Sequence, residues 1–282
     1  MVDSQRLRAR VKQGLQYFGA SIEVPETSRT TLLALSDLVR RNAAPEPYAI
    51  TGAGLTPYEL RVFSQNGEDG VLAAIFDRIG LGGRSFVEFG VEDGTEGNTV
   101  FLAQVMGWSG AYLEADDASF ATLERRFSAN PRVRTLHAAV EPDTVEALFA
   151  QAAVPEEPDV VSIDVDGNDY WIWKALTGFR PRVVVVEYNG ALDPGSRRVM
   201  PYTPGFRWDG TTAYGASLGA LEALAADKGY VLVHTELAGV NAFFVREDLA
   251  AGLPTGDAVP RRSGNHALMG LGHPAPRSEP GW

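Results

Sequence analysis

Four consecutive valines, Val183 to Val186, closed by Glu187, leave this chain little choice of environment. Branched side chains favour extended backbone, and a strand with no polar alternate position needs cover on both faces. Asp159 to Ile163 has the same character. Strands covered on both faces belong to a parallel sheet with helices on each side, so apolar runs should alternate with helical periodicity. They do. Strands are predicted near 85–90, 110–114, 132–136, 159–164 and 182–188, and helices near 98–106, 117–128, 142–151 and 169–177. A helix near 215–228 and strands near 229–235 and 241–246 complete a mostly parallel seven-stranded sheet, with the last hairpin at one edge. The expected fold class is α/β and Rossmann-like, with helices on both faces.

Three regions follow. Residues 1–55 read as a helical extension and linker, residues 56–248 as the Rossmann-like domain, and residues 249–282 as a Pro/Gly-rich tail carrying Arg261, Arg262 and His266. In the extension, Leu7, Val11, Leu15 and Phe18 mark one amphipathic helix over 5–19, and Leu32, Leu35, Leu38 and Val39 mark another over 30–41. Their apolar faces suit packing on the main domain or a homo-oligomer contact. Pro45 and Pro47 end the pattern. A net charge of -11 disfavours a groove for nucleic acid, and zero Cys excludes disulfides, thiolate metal sites and a cysteine nucleophile. No run approaches the roughly 20 apolar residues of a membrane span, and the N-terminus lacks a signal-like apolar centre. A cytoplasmic protein that touches neither nucleic acid nor membrane is expected.

Ligands of open α/β sheets bind beyond the carboxyl ends of the strands, and here those ends are acidic. Glu88 ends the first strand, Glu114 the second and Asp164 the fourth, with Asp166 beyond it, while Glu187 ends the fifth with Asn189 beside it. Glu88, Gly90 and Gly94 form a glycine turn without the third glycine that a dinucleotide pyrophosphate needs. Such a turn suits the amino-acid end of S-adenosylmethionine, and Glu114 suits the two hydroxyls of its ribose. Ala139, after the third strand, can offer backbone groups and an apolar wall to an adenine. Gln65 and Asn66, beside a helix start capped by Ser64 or Asn66, can hold a ligand carboxylate. Asp164, Asp166 or Asp169 can act as a general base, with Asp169 also a candidate N-cap. Asp164, Asp166, Glu187 and Asn189 together can ligate a hard cation such as Mg2+. The segment from Asn189 to Thr212, carrying Arg197, Arg198, Tyr202, Arg207, Trp208 and Asp209, is long enough to be a lid over an oxygen-rich or acidic acceptor. An NAD-dependent oxidoreductase and a non-catalytic binding or scaffold module remain open as alternatives.

Five blocks in order resemble the FkbM-like S-adenosylmethionine-dependent methyltransferases. They are Ser64 to Asp69; Phe86 to Gly90 with Asp93, Gly94, Asn98 and Thr99; Gly107 to Gly110 leading to Glu114; Ser162 to Gly167; and Val186 to Asn189. The resemblance covers about residues 64–189. It implies a class I methyltransferase fold, a cofactor loop that includes Asn98, and transfer of a methyl group to an oxygen of a small-molecule acceptor, a sugar or natural product. Asp166 stands where the family commonly has Glu, and the stretch Asn168 to Trp173 is more aromatic than its usual pattern.

Overall fold

The computed structural model describes residues 54–264. The helices expected over 5–19 and 30–41, most of the linker, and the tail beyond Gly264 with His266 lie outside the described residues.

Seven strands form one sheet in the order β3-β2-β1-β4-β5-β7-β6. These are β1 (Ser85–Phe89), β2 (Ser109–Glu114), β3 (Val133–His137), β4 (Val160–Ile163), β5 (Val183–Glu187), β6 (Tyr230–Thr235) and β7 (Asn241–Arg246). Pairing is parallel from β3 through β5, and β7 runs antiparallel between β5 and β6. The chain therefore has the mostly parallel, seven-stranded Rossmann-like sheet expected of it. Among the described residues, six α-helices flank the sheet: α1 (Glu68–Ile79), α2 (Val100–Gln104), α3 (Asp117–Phe127), α4 (Val145–Gln151), α5 (Asp169–Ala175) and α6 (Leu218–Lys228).

The valine run shows why both faces needed cover. Val184 and Val186 join Trp173, Phe149 and Leu221 in one core layer, while Val183 and Val185 join Val71, Leu72 and Ile75 in the other. All four valines are fully buried, each contributing about 1.5 to 2 kcal/mol of apolar transfer free energy.

Three helices start later than periodicity predicts, each behind a segment whose N–H groups are held by a side chain. The helix expected over 98–106 is reduced to Val100–Gln104, since the Glu88 carboxylate binds the N–H groups of Asn98 and Thr99. The one expected from 142 begins at Val145, behind a turn in which Thr144 Oγ1 accepts from Glu141 N at 3.0 Å. The one expected from 215 begins at Leu218 with Ser217 as cap.

The opening motif Ser64 to Asp69 also differs from its expected capping. Gly67, at φ +114°, occupies the N-cap of α1, and neither Ser64 nor Asn66 does. Asp69 instead gathers the preceding chain: its Oδ2 accepts from the N–H groups of Val62, Phe63 and Ser64 and from Ser64 Oγ, at 2.7 to 2.9 Å. Glu68 reaches back to Asn66 N and across to the Asn241 amide on β7. This motif welds α1 to the sheet.

The described part of the tail packs along the same end of the domain. Arg262 donates to Thr235 O and Thr56 Oγ1, and its carbonyl accepts from Tyr188 Oη. Among the described residues no helix is long and apolar enough to cross a membrane.

Candidate active site

Strand order places the ends of β2, β1, β4 and β5 side by side, so Glu114, Glu88, Asp164 and Glu187 line one carboxyl edge. Asp69, Asp169 and Glu236 are buried close by. The four predicted strand-end acids are thus brought together, but they do different work.

Glu88 is taken up by the protein itself. Its Oε1 accepts from Asn98 N at 2.6 Å, and its Oε2 from Thr99 N at 3.0 Å and Thr99 Oγ1 at 2.6 Å. Burial raises its pKa to about 7 against the lowering effect of those donors. The amides in front of α2 are where a dinucleotide pyrophosphate would be held in a Rossmann turn, and here a carboxylate of the chain occupies them. Asn98, expected in the cofactor loop, donates its side-chain amide to Ser162 Oγ at 3.0 Å and so ties that loop to β4.

The glycines of the turn also answer first to the chain. A Cβ on Gly90, which has φ +75°, would lie 1.7 Å from the carbonyl oxygen of Asp164. A Cβ on Gly94 would meet Leu123 and Phe127 of α3 at 2.8 and 2.9 Å. Gly94 is therefore small because α3 packs on it, whereas Gly90 presses one side against Asp164 and leaves the other exposed.

Glu114 keeps acceptor capacity. Its Oε2 accepts from Glu92 N at 2.9 Å and its Oε1 from Asp116 N at 2.7 Å, one donor to each oxygen. A carboxylate oxygen has a second lone pair, so the fixed carboxylate can still accept from two adjacent hydroxyls. That pair of acceptors fits the two hydroxyls of a ribose. Ala139 is exposed in the turn after β3, near the β2 end, where Ala138 N donates to Glu114 O at 3.0 Å.

Beyond β4 the chain turns sharply, with Asp166 exposed at φ +58°. One carboxylate oxygen each from Asp164, Asp166 and Glu187 lie within 4.8 Å of one another. Burial, then the neighbouring Asp166, pushes Asp164 well above the usual carboxylate range. Burial, then Asp164, does the same to Glu187. Asn189, expected among the cation ligands, and Asp169, expected as a general base or N-cap, hold neighbouring backbone. Asn189 has its amide nitrogen committed to the carbonyls of Thr212 and Tyr214 and its oxygen to Ala191 N, so it anchors the following loop. Asp169 accepts from Val165 N and Gly167 N, both at 2.8 Å, one on each oxygen. It shapes the turn from the first position of α5, with Asn168 as N-cap in its place, and burial holds its pKa up at about 7.

Gln65 is exposed and Asn66 half-buried at the outer end of the opening motif, where the Asn66 amide leans on Gln65 Oε1 at 3.4 Å. The long loop after β5 is a fastened cover. Its ends bridge at Val199 and Ala216. Met200 O accepts from Trp171 Nε1, Thr203 O from Asn168 Nδ2, and Glu141 from Tyr202 Oη and Gly205 N. Phe206 packs on Gly167, where a Cβ would come within 2.5 Å of its ring. Sequence reasoning missed Glu141, Phe206 and Glu92, because their partners lie far along the chain and no local pattern marks them. Of the histidines among the described residues, His137 is exposed and stacks on Phe120, and His234 is buried against Glu59 at 2.9 Å.

No protein-family model matches the chain, and no curated protein matches it. Similar solved structures include the N-terminal domain of EvdMO1 with SAH bound, at 17% identity, covering 74% of this chain and 94% of that one with a TM-score of 0.42. Magnesium protoporphyrin IX methyltransferase (ChlM) from Synechocystis PCC 6803 with bound SAM has 13% identity, coverage of 80% and 99%, and a TM-score of 0.42. An O-methyltransferase family protein from Burkholderia thailandensis has 10% identity, coverage of 77% and 70%, and a TM-score of 0.41.

Proposed function

We propose that the protein is an S-adenosylmethionine-dependent methyltransferase that methylates a hydroxyl of a sugar or natural product. The observation that carries this reading is the contrast between two strand-end acids. Glu88 fills the amides where a pyrophosphate would sit, which disfavours NAD. Glu114 holds a carboxylate ready for two hydroxyls at the next strand end. A cofactor with a ribose and no phosphate satisfies both. The resemblance of residues 64–189 to FkbM-like methyltransferases points the same way and is the basis for naming oxygen as the acceptor atom.

When bound, S-adenosylmethionine supplies an electrophilic methyl group. In this reading Glu114 accepts from the ribose hydroxyls, and the exposed side of Gly90 lets the ligand pass close to the backbone. Asp164 and Asp166 stand beside the turn covered by Phe206 and promote loss of the proton from the acceptor hydroxyl. Asp169 positions them by holding Val165 N and Gly167 N. The fastened loop over 199–216 keeps water out and orients the acceptor, which is the main work of an in-line displacement. Methyl-labelled S-adenosylmethionine incubated with a library of sugars and hydroxylated metabolites, followed by mass spectrometry, tests the reading. A labelled methyl ether supports it, and label appearing only on amines or thiols refutes the choice of acceptor atom.

A further inference from the structure

The group formed by Asp164, Asp166 and Glu187 carries an inference that deepens the methyltransferase reading without depending on cofactor binding. Three carboxylate oxygens from two strand ends converge within 4.8 Å. Donors on opposite sides of a hard cation, with bonds of about 2.1 to 2.4 Å, stand about 4.2 to 4.8 Å apart, so this spread is already close to that of a ligand set.

A second observation concerns a single atom. Glu187 is only 6% exposed, and its Oε2 is buried with no hydrogen-bond partner. An unpartnered carboxylate oxygen in the interior is costly, and chains normally supply an N–H or a hydroxyl to such an atom. The neighbouring acids are supplied in that way. Glu88, Asp69, Asp169 and Glu236 each accept from at least two backbone N–H groups. No such donor reaches Glu187 Oε2, and one oxygen of this carboxylate lies with those of Asp164 and Asp166. The charged groups acting most strongly are all acidic: Asp166, Asp169 and Glu88 on Asp164, and Asp164, Asp169, Asp166 and Glu236 on Glu187. No lysine or arginine side chain is among them.

We propose that Asp164, Asp166 and Glu187 bind one divalent cation of the magnesium or manganese class, with the remaining coordination positions left to water and the acceptor. All-oxygen carboxylate donors select hard cations over zinc or copper. Asn189, which the sequence places beside Glu187, spends its amide nitrogen on the loop at Thr212 and Tyr214 and accepts Ala191 N on its oxygen, so the proposal rests on the three carboxylates.

The test is a titration of the full-length, cofactor-free protein with Mn2+, followed by the loss of the free-ion electron paramagnetic resonance signal. One Mn2+ per chain, displaced by Mg2+, is expected. Glu187→Gln and Asp166→Asn should each weaken it by about tenfold or more. Asp166 is exposed, so its variant is expected to fold, and circular dichroism checks both. Wild-type protein that takes up no Mn2+, or variants that bind it as well as wild type, overturns the proposal. Mn2+ binding without S-adenosylhomocysteine binding would leave the cation site standing and remove the methyltransferase reading. The converse would remove the cation site alone.

Discussion

Glu88→Ala tests the claim that this acid builds the turn. The substitution removes one acceptor from three donors, the N–H groups of Asn98 and Thr99 and the Thr99 hydroxyl, at 2.6, 3.0 and 2.6 Å. Glu88 is 4% exposed, so water does not readily replace it. Hydrogen bonds to a charged group contribute about 1.5 to 3 kcal/mol each, but the three are not additive, and a pKa near 7 leaves the group partly neutral at physiological pH. A net loss of about 4 kcal/mol is expected, a large share of the roughly 5 to 15 kcal/mol of a typical domain. In urea denaturation this lowers the midpoint by about 1 to 2 M at unchanged slope. Glu88→Gln should fare little better, since its amide nitrogen would face donors on one side. A loss under about 1 kcal/mol at unchanged slope would refute the assignment of Glu88 to the turn and return it to the ligand.

Stability should also fall as pH rises. Burial is the main cause holding Glu88 and Glu236 at about 7 and Asp69 at about 6, all above ordinary carboxyl values. The folded state then binds more protons than the unfolded one between about pH 4 and 7, so unfolding free energy declines across that window, by up to about 3 kcal/mol per group, and levels above it. Chemical denaturation at pH 5 and pH 8 measures this, and equal or greater stability at pH 8 would contradict it. Gly90→Ala drives a Cβ into the Asp164 carbonyl at 1.7 Å on a backbone already at φ +75°. A loss of at least about 3 kcal/mol, seen as a drop in melting temperature, is expected, and a wild-type melt would show that the turn and the β4 end are not in contact.

What could be read from the sequence divides by the range of the interaction that decides it. The strands were legible because burial on both faces writes itself into consecutive residues, as in Val183 to Val186. The acidic edge was legible because strand ends follow once the strands are placed. The role of each acid was not. Glu88, Asp69 and Asp169 look alike in sequence to Glu114 and Glu187, and only folded geometry shows that Glu114 carries one backbone N–H on each oxygen while Glu187 Oε2 carries none. The same limit explains Asn189, read as a possible ligand beside Glu187, whose partners Thr212 and Tyr214 lie at the far end of the loop. It also explains the capping of α1, where Gly67 and Asp69 replace Ser64 or Asn66 because the chain before the helix folds back onto it.

Calorimetry of wild-type protein and Glu114→Ala with S-adenosylhomocysteine tests the central claim most directly. The account predicts saturable binding at one ligand per chain, weakened about tenfold or more when the carboxylate at the β2 end is removed. Folded wild-type protein that shows no binding at about 1 mM ligand would contradict it.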